Sequence, residues 1–215
     1  MRHKIKTIFA AAAIAATAFV ALPAQAATIV GDYIGGGANN NFSRATGYHF
    51  TVGADDLNVT ALGVYDLGSN GFADSHDVAI FDSSAPGVAL ASTTLASGLS
   101  GTFEAGTVGG TRFNAIATIT LFANTSYYIL ANNFGTDQFA FGNGSVLYNS
   151  AITWNGFVDA ASNSVNSNPN FLGGSPGNLG PNFKFTLAAI PIPASILLLF
   201  TGIAGLFGIR RIRAA

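Results

Sequence analysis

The chain has 215 residues, 49% of them apolar and only 9% charged, with no Cys. The missing Cys excludes disulfides, thiol catalysis and thiolate metal sites together. All ten acids lie between residues 27 and 189, where only Arg44, Arg112 and Lys184 oppose them, and that acidic balance excludes a nucleic-acid partner, which requires clustered Lys and Arg.

Residues 1–26 read as a signal peptide. Met1-Arg2-His3-Lys4-Ile5-Lys6 is basic, Ile8 to Leu22 is a largely apolar run of 15 residues, and Ala24-Gln25-Ala26 forms an A-x-A site ahead of Ala27. This order of charge, apolar run and small residues predicts export through the Sec translocon, with cleavage between Ala26 and Ala27.

From 27 to 189 no apolar period of 3.6 residues lasts beyond two turns. Short β-branched and aromatic runs recur instead, broken by Gly, Asn, Asp and Ser. The predicted strands are Tyr48–Val52, Val59–Tyr65, Asp77–Phe81, Ala89–Thr94, Thr111–Ile116, Thr118–Leu121, Ser126–Ala131, Gln138–Phe141, Ser145–Tyr148 and Phe183–Leu187. Alternation in Val59–Tyr65 puts Thr60, Leu62 and Val64 on one face. Asn70-Gly71, Asn143-Gly144 and Asn155-Gly156 suit turns that need positive φ. About ten short strands at such spacing predict an all-β domain, a jelly-roll-like two-sheet sandwich. Residues 155–182, rich in Asn, Gly, Ser and Pro, read as a long surface loop ahead of the last strand.

Catalytic groups are sparse in this domain, which holds His49, His76 and one Glu, Glu104. Gly173-Gly174-Ser175-Pro176-Gly177 matches G-x-S-x-G in letters. Pro follows the Ser, however, and no His lies downstream, so Ser175 does not read as a nucleophile. Asp55-Asp56 reads as a turn before a strand rather than as half of a glycosidase pair. His49 and His76 with a carboxylate would supply enough ligands for zinc, yet two His on separate strands read first as strand residues. The densest oxygen-rich set is Asp66, Asn70, Asp74 and Asp77, interleaved with Gly68 and Gly71 in a strand-connecting loop. Calcium takes six to eight oxygens, which makes this loop the calcium candidate, against a solvated acidic turn as the other reading. Tyr148, Trp154 and Phe157 are the richest aromatic cluster near a loop and form the candidate ligand platform, unless Trp154 belongs to the core.

Residues 190–215 read as a membrane-spanning tail. Ile190-Pro191-Ile192-Pro193-Ala194-Ser195 leads into an uncharged stretch to Ile209, followed by Arg210-Arg211-Ile212-Arg213. Ala194 to Ile209 would span ~24 Å as a helix, so neighbouring apolar residues or snorkelling arginines complete the crossing. The arginines stay cytoplasmic, which leaves 27–189 outside. This tail resembles the PEP-CTERM sorting signal. The carrying features are Pro191 and Pro193 with Ala194, a short helix with Gly202, Gly205 and Gly208, and the terminal Arg210, Arg211 and Arg213. Ile190-Pro191-Ile192-Pro193-Ala194 looks like the Val-Pro-Leu-Pro-Ala subtype. The resemblance implies recognition by an exosortase, a membrane-embedded Cys protease of exopolysaccharide-producing Gram-negative bacteria, and a transient stay in the inner membrane before transfer to the surface or matrix.

The stretch from Gly47-Tyr48-His49-Phe50-Thr51-Val52 through Val59–Asp66 and Ser75–Asp82 to Thr120–Tyr128 resembles uncharacterised extracellular β-sandwich domains that precede such tails. The expectation is a non-catalytic structural or binding module associated with exopolysaccharide or biofilm. A carbohydrate-binding or calcium-dependent lectin-like module is the alternative, and a secreted hydrolase the third reading.

Overall fold

A computed structural model of the chain describes residues 26–39, 41–142, 146–174 and 179–188. The predicted signal peptide as far as Gln25, the tail from 190 onward, the Asn143-Gly144 turn and Ser175 lie outside the described residues. Ala26 and Ala27 are exposed ahead of the first strand.

In chain order the strands are β1 (Thr28–Ile29), β2 (Gly31–Tyr33), β3 (Gly37–Asn39), β4 (Thr46–Val52), β5 (Leu57–Asp66), β6 (His76–Asp82), β7 (Ala89–Leu95), β8 (Thr102–Ala105), β9 (Gly110–Leu121), β10 (Ser126–Ala131), β11 (Phe139–Phe141), β12 (Val146–Tyr148), β13 (Ile152–Ala160), β14 (Pro169–Leu172) and β15 (Pro181–Leu187). They form a five-stranded sheet, β1-β15-β5-β9-β8, and a six-stranded sheet, β14-β13-β4-β10-β6-β7, with the ribbons β11-β3 and β12-β2 beside them. The pairings are antiparallel, and no described residue is helical. The domain is all-β, as the short runs predict.

One core joins the two large sheets. Leu57, Val59, Leu62 and Val64 of β5 and Phe183 and Phe185 of β15 belong to the same buried cluster as Tyr48, Phe50, Val78, Ile80, Tyr127 and Ile129 of the six-stranded sheet. Each such side chain contributes ~1.5–3 kcal/mol on burial, so the core supplies the cohesion that disulfides would otherwise give. The β4–β5 and β9–β10 connections cross side by side at one end. There the Val52 N–H donates to the Thr125 carbonyl (3.0 Å) and the Ala123 N–H to Asp56 Oδ1 (2.7 Å). Asp55-Asp56 is accordingly a turn.

Two bulges reverse the alternation that the sequence suggests. In β5, Val59 and Ala61 pair with β9 while Thr60 is left out of the ladder. The buried face therefore runs Leu57, Val59, then Leu62, Val64, and Thr60 does not join it. An extra residue in one strand flips everything beyond it to the other face. In β13 the shift falls between Trp154 and Gly156. Ile152 and Trp154 face the main core, whereas Val158 and Ala160 face the opposite side of the sheet.

That opposite side corrects the expectation for residues 155–182. They are not one long loop, and Asn155-Gly156 is not a turn: the pair lies inside β13, and Phe157–Ala160 pair with β14. The reason is a second apolar cluster on the outer face of the six-stranded sheet, made of Ala45, Ala79, Phe81, Tyr128, Leu130, Val158, Ala160 and Val165. Phe81 stacks on Tyr128 with ring centroids 4.8 Å apart, and Phe171 of β14 meets Tyr128 edge-on at 5.4 Å. Val165 and Phe171, two of the few apolar residues in a polar stretch, fold it back across this face.

Gly47 illustrates how tightly β4 is held between β10 and β13. A Cβ there would overlap the Ile129 carbonyl oxygen, a backbone atom that cannot turn aside. Gly47→Ala is expected to cost about 3 kcal/mol or more, whereas Gly135→Ala, with open space around its Cβ position, melts close to wild type. Equal melting temperatures for the two variants would contradict this packing.

Candidate functional site

Asp66 closes β5 and sets the geometry of the loop that follows. Its Oδ2 accepts from Arg112 Nε at 2.7 Å and from the Gly71 N–H at 2.9 Å. Ser69 and Gly71 hold positive φ of 55° and 92°, which bends the loop so that Gly71 reaches back to Asp66. Phe72 then exchanges backbone hydrogen bonds with Gly98. Arg112 is buried as well: its Nη1 donates to the Leu99 carbonyl (3.3 Å), and its guanidinium lies 5.1 Å from the Phe103 ring centroid. One carboxylate thus ties β5, β9 and the β5–β6 loop together, and its arginine extends the tie to the β7–β8 loop.

A second carboxylate, Asp137, braces the same loop from the β10–β11 side. It accepts from the N–H groups of Ala73 and Asp74 and lies 3.1 Å from His76 Nε2. His76 is fully buried, with Nδ1 2.6 Å from the Asn132 carbonyl oxygen and its ring against Phe72 and Phe134. Between these supports lies an open cleft of about 460 Å³, lined in part by Asp66, Asn70, Phe72 and Asp137.

The four calcium candidates are not brought together. Asp66 is buried against Arg112, Asn70 and Asp74 are exposed, and Asp77 lies on β6. Asp77 Oδ1 accepts from Thr94 Oγ1 (2.7 Å) and Oδ2 from Asn132 Nδ2 (3.1 Å). Among the described residues no group of three or more His, Asp or Glu side chains is placed to hold a metal. The sequence suggested a shared site because it shows spacing along the loop and not the partners that β9 and β10 contribute from outside it.

His49 and His76 do not meet either. His76 faces the main core, whereas His49 lies beside Tyr128 on the outer face, its ring 5.0 Å from Phe171. Its Nε2 is buried without a hydrogen-bond partner, and burial lowers its pKa from the ordinary 6.5.

The aromatic platform points inward. Trp154 pairs with Phe50 and Phe157 with Tyr48 across the β13–β4 ladder, and the Tyr148 ring lies 4.9 Å from that of Tyr48. Tyr148 and Trp154 pack against the main core. Burial pushes the Tyr148 hydroxyl well above the usual tyrosine range, with the Trp154 indole pulling the other way. Tyr148 and Trp154 thus close an edge of the core.

Arg112, Asp137, Asn132 and Asn133 are the residues that sequence reading missed. One signal was available for Arg112. In a stretch with three bases, a lone Arg inside a predicted strand has to find a carboxylate. Each of the three bases does so: Arg112 with Asp66, Arg44 with Asp159 (3.0 Å), and Lys184 with Glu104. Compared with protein-family models, with curated proteins and with solved structures, the chain matches none of them.

Arg112→Met leaves Asp66 buried without its cation, and the expected loss is about 3–5 kcal/mol, read from the urea midpoint. Adding Asp66→Leu recovers most of it, since an apolar pair needs no solvation. A single variant as stable as wild type would show that the pair holds nothing.

His49 sets the sign of a pH dependence. Its folded pKa is lowered, so the unfolded chain takes up that proton first as pH falls. Stability is therefore full above 6.5 and declines as pH drops from there through the folded value. Urea midpoints at mildly alkaline and acidic pH measure this decline. His49→Gln is expected to remove its part of it, and an unchanged slope would assign the decline to other groups.

Proposed function

We propose that the chain is an exported surface or matrix protein, anchored transiently in the inner membrane and released by an exosortase. Its jelly-roll-like sandwich acts there as a non-catalytic structural or binding module for exopolysaccharide. The observation that carries this reading is the bracketing of the domain. A basic, apolar, small-residue segment precedes it, and a Pro-x-Pro, apolar, arginine-ended segment follows it.

The engagement of the ionisable groups supports the non-catalytic half of the proposal. Asp66, Asp77, Asp137, His76 and all three bases of the domain are bonded to neighbours that hold strands and loops in place. A general acid or base needs a free reacting position on the group that moves the proton. These groups instead face structural partners.

Mass spectrometry of the protein recovered from the cell surface and medium tests the proposal. The expected product begins at Ala27 and lacks the segment beyond about Pro193, because exosortase-type cleavage falls near the Pro-x-Pro motif. Recovered protein that still ends in Arg213-Ala214-Ala215 would overturn the sorting step.

A further inference from the structure

A second cleft, of about 320 Å³, opens where the β3–β4, β5–β6 and β10–β11 connections meet the turn after β13. Its size falls at the lower end of small-ligand sites. The floor is a pair of asparagines that satisfy each other. Asn163 Nδ2 donates to Asn133 Oδ1 (2.6 Å), the Asn133 N–H donates to Asn163 Oδ1 (3.0 Å), and Asn133 Nδ2 donates to the Ser75 carbonyl (2.5 Å). Asn133 holds φ at 63°, the left-handed region that Asn tolerates, and its side-chain amide is held by the bonds to Asn163 and Ser75.

The rim differs from the floor. The side chains of Asn41, Ser43, Asp74 and Ser75 are exposed and make no hydrogen bond with the described residues. Asn41 is anchored through its N–H to the Gly135 carbonyl (3.0 Å), and Asp74 through its N–H to Asp137 (3.0 Å), so both side chains are presented from fixed backbone. Phe42, half-buried with its ring 5.7 Å from that of Phe139, supplies one apolar surface at the side of the cleft.

Charge narrows the ligand. The cleft contains one carboxylate and no cation, and each base of the domain is already paired elsewhere. A phosphate, sulfate or uronate would find no counter-charge and would face Asp74. What the rim does offer is an amide with adjacent donor and acceptor, two hydroxyls and a carboxylate with acceptor positions in excess. Neighbouring hydroxyls on a sugar ring match that set, and the ring's C–H face matches Phe42. We infer that this cleft binds a neutral saccharide directly, through Asn41, Ser43, Asp74 and Ser75, with no metal ion between. The inference rests on the polysaccharide reading above and names its ligand class and site.

Affinity electrophoresis of the protein purified as the cell exports it provides the test. The gels contain soluble starch, a mixed-linkage β-glucan, a galactan or a mannan as neutral probes, and alginate or dextran sulfate as polyanions, each in EDTA and in calcium. The expected result is retardation by at least one neutral probe, equal in EDTA and calcium, and by neither polyanion in EDTA. Asp74→Ala removes a charged acceptor and Ser43→Trp fills the cleft. Each is expected to weaken that retardation about tenfold or more, with the wild-type melting temperature kept because both positions are exposed. If one variant fails to fold, the other decides. No retardation by any neutral probe, retardation unchanged in the folded variants, binding only with calcium, or retardation by a polyanion in EDTA would each overturn the inference. Terminal processing is read separately by mass spectrometry, so failure of the cleft and failure of the sorting proposal are distinguishable.

Discussion

The Asp66 carboxylate, buried against the Arg112 guanidinium, holds the loop end of the domain in place. Both side chains have left water almost completely, and such a pair is tolerated only when its remaining donors and acceptors are also bonded. The Gly71 N–H, the Leu99 carbonyl and the Phe103 ring meet that requirement. Three segments far apart in sequence are thereby fixed at one end of the two sheets. With the β5–β6 loop fixed, Asp137 can brace its far side, and Asp74 and Ser75 come to stand over the asparagine floor of the smaller cleft. The presented surface is thus a consequence of the buried pair.

The legible parts of the fold are strands whose apolar and β-branched residues run together in a short stretch. Ser126–Ala131 coincides with β10, and Tyr48–Val52 and Phe183–Leu187 fall within β4 and β15. Tyr127 and Ile129 alternate with Tyr128 and Leu130 between two apolar clusters, and that pattern survives in the sequence. The bulges at Thr60 and beyond Trp154 erase it. Thr111–Ile116 and Thr118–Leu121, predicted as two strands, are one strand with irregular pairing opposite Thr60. β1, β2 and β3 are two or three residues long and carry no period to read. β14 is hidden differently: Val165, Phe171 and Leu172 are the large apolar residues of its stretch, and none stands out among so many Asn and Ser.

The site was less legible than the fold for a related reason. Acidic spacing along one loop suggested a shared cation, but the partners of Asp66 and Asp77 come from β9, β7 and the β10–β11 connection. Coupling of that kind is set by the topology of the sheets, which local sequence does not display. Charge balance was legible, and its consequence is wider than the loop. Three bases meeting three acids leave an excess of carboxylates over the domain, a field that repels polyanions and leaves uncharged polymers unaffected. The smaller cleft shares that balance, with one carboxylate, Asp74, and no base among its lining residues.

The loop from Leu67 to Ser75 is held by the protein's own Asp66 and Asp137 carboxylates. Amide hydrogen exchange measures this directly. In EDTA the Gly71, Ala73 and Asp74 amides, which donate to Asp66 and Asp137, are predicted to exchange slowly, and millimolar calcium is predicted to leave their rates unchanged. Rapid exchange of these amides in EDTA, slowed only when calcium is added, would show that a cation and not the two carboxylates holds the loop.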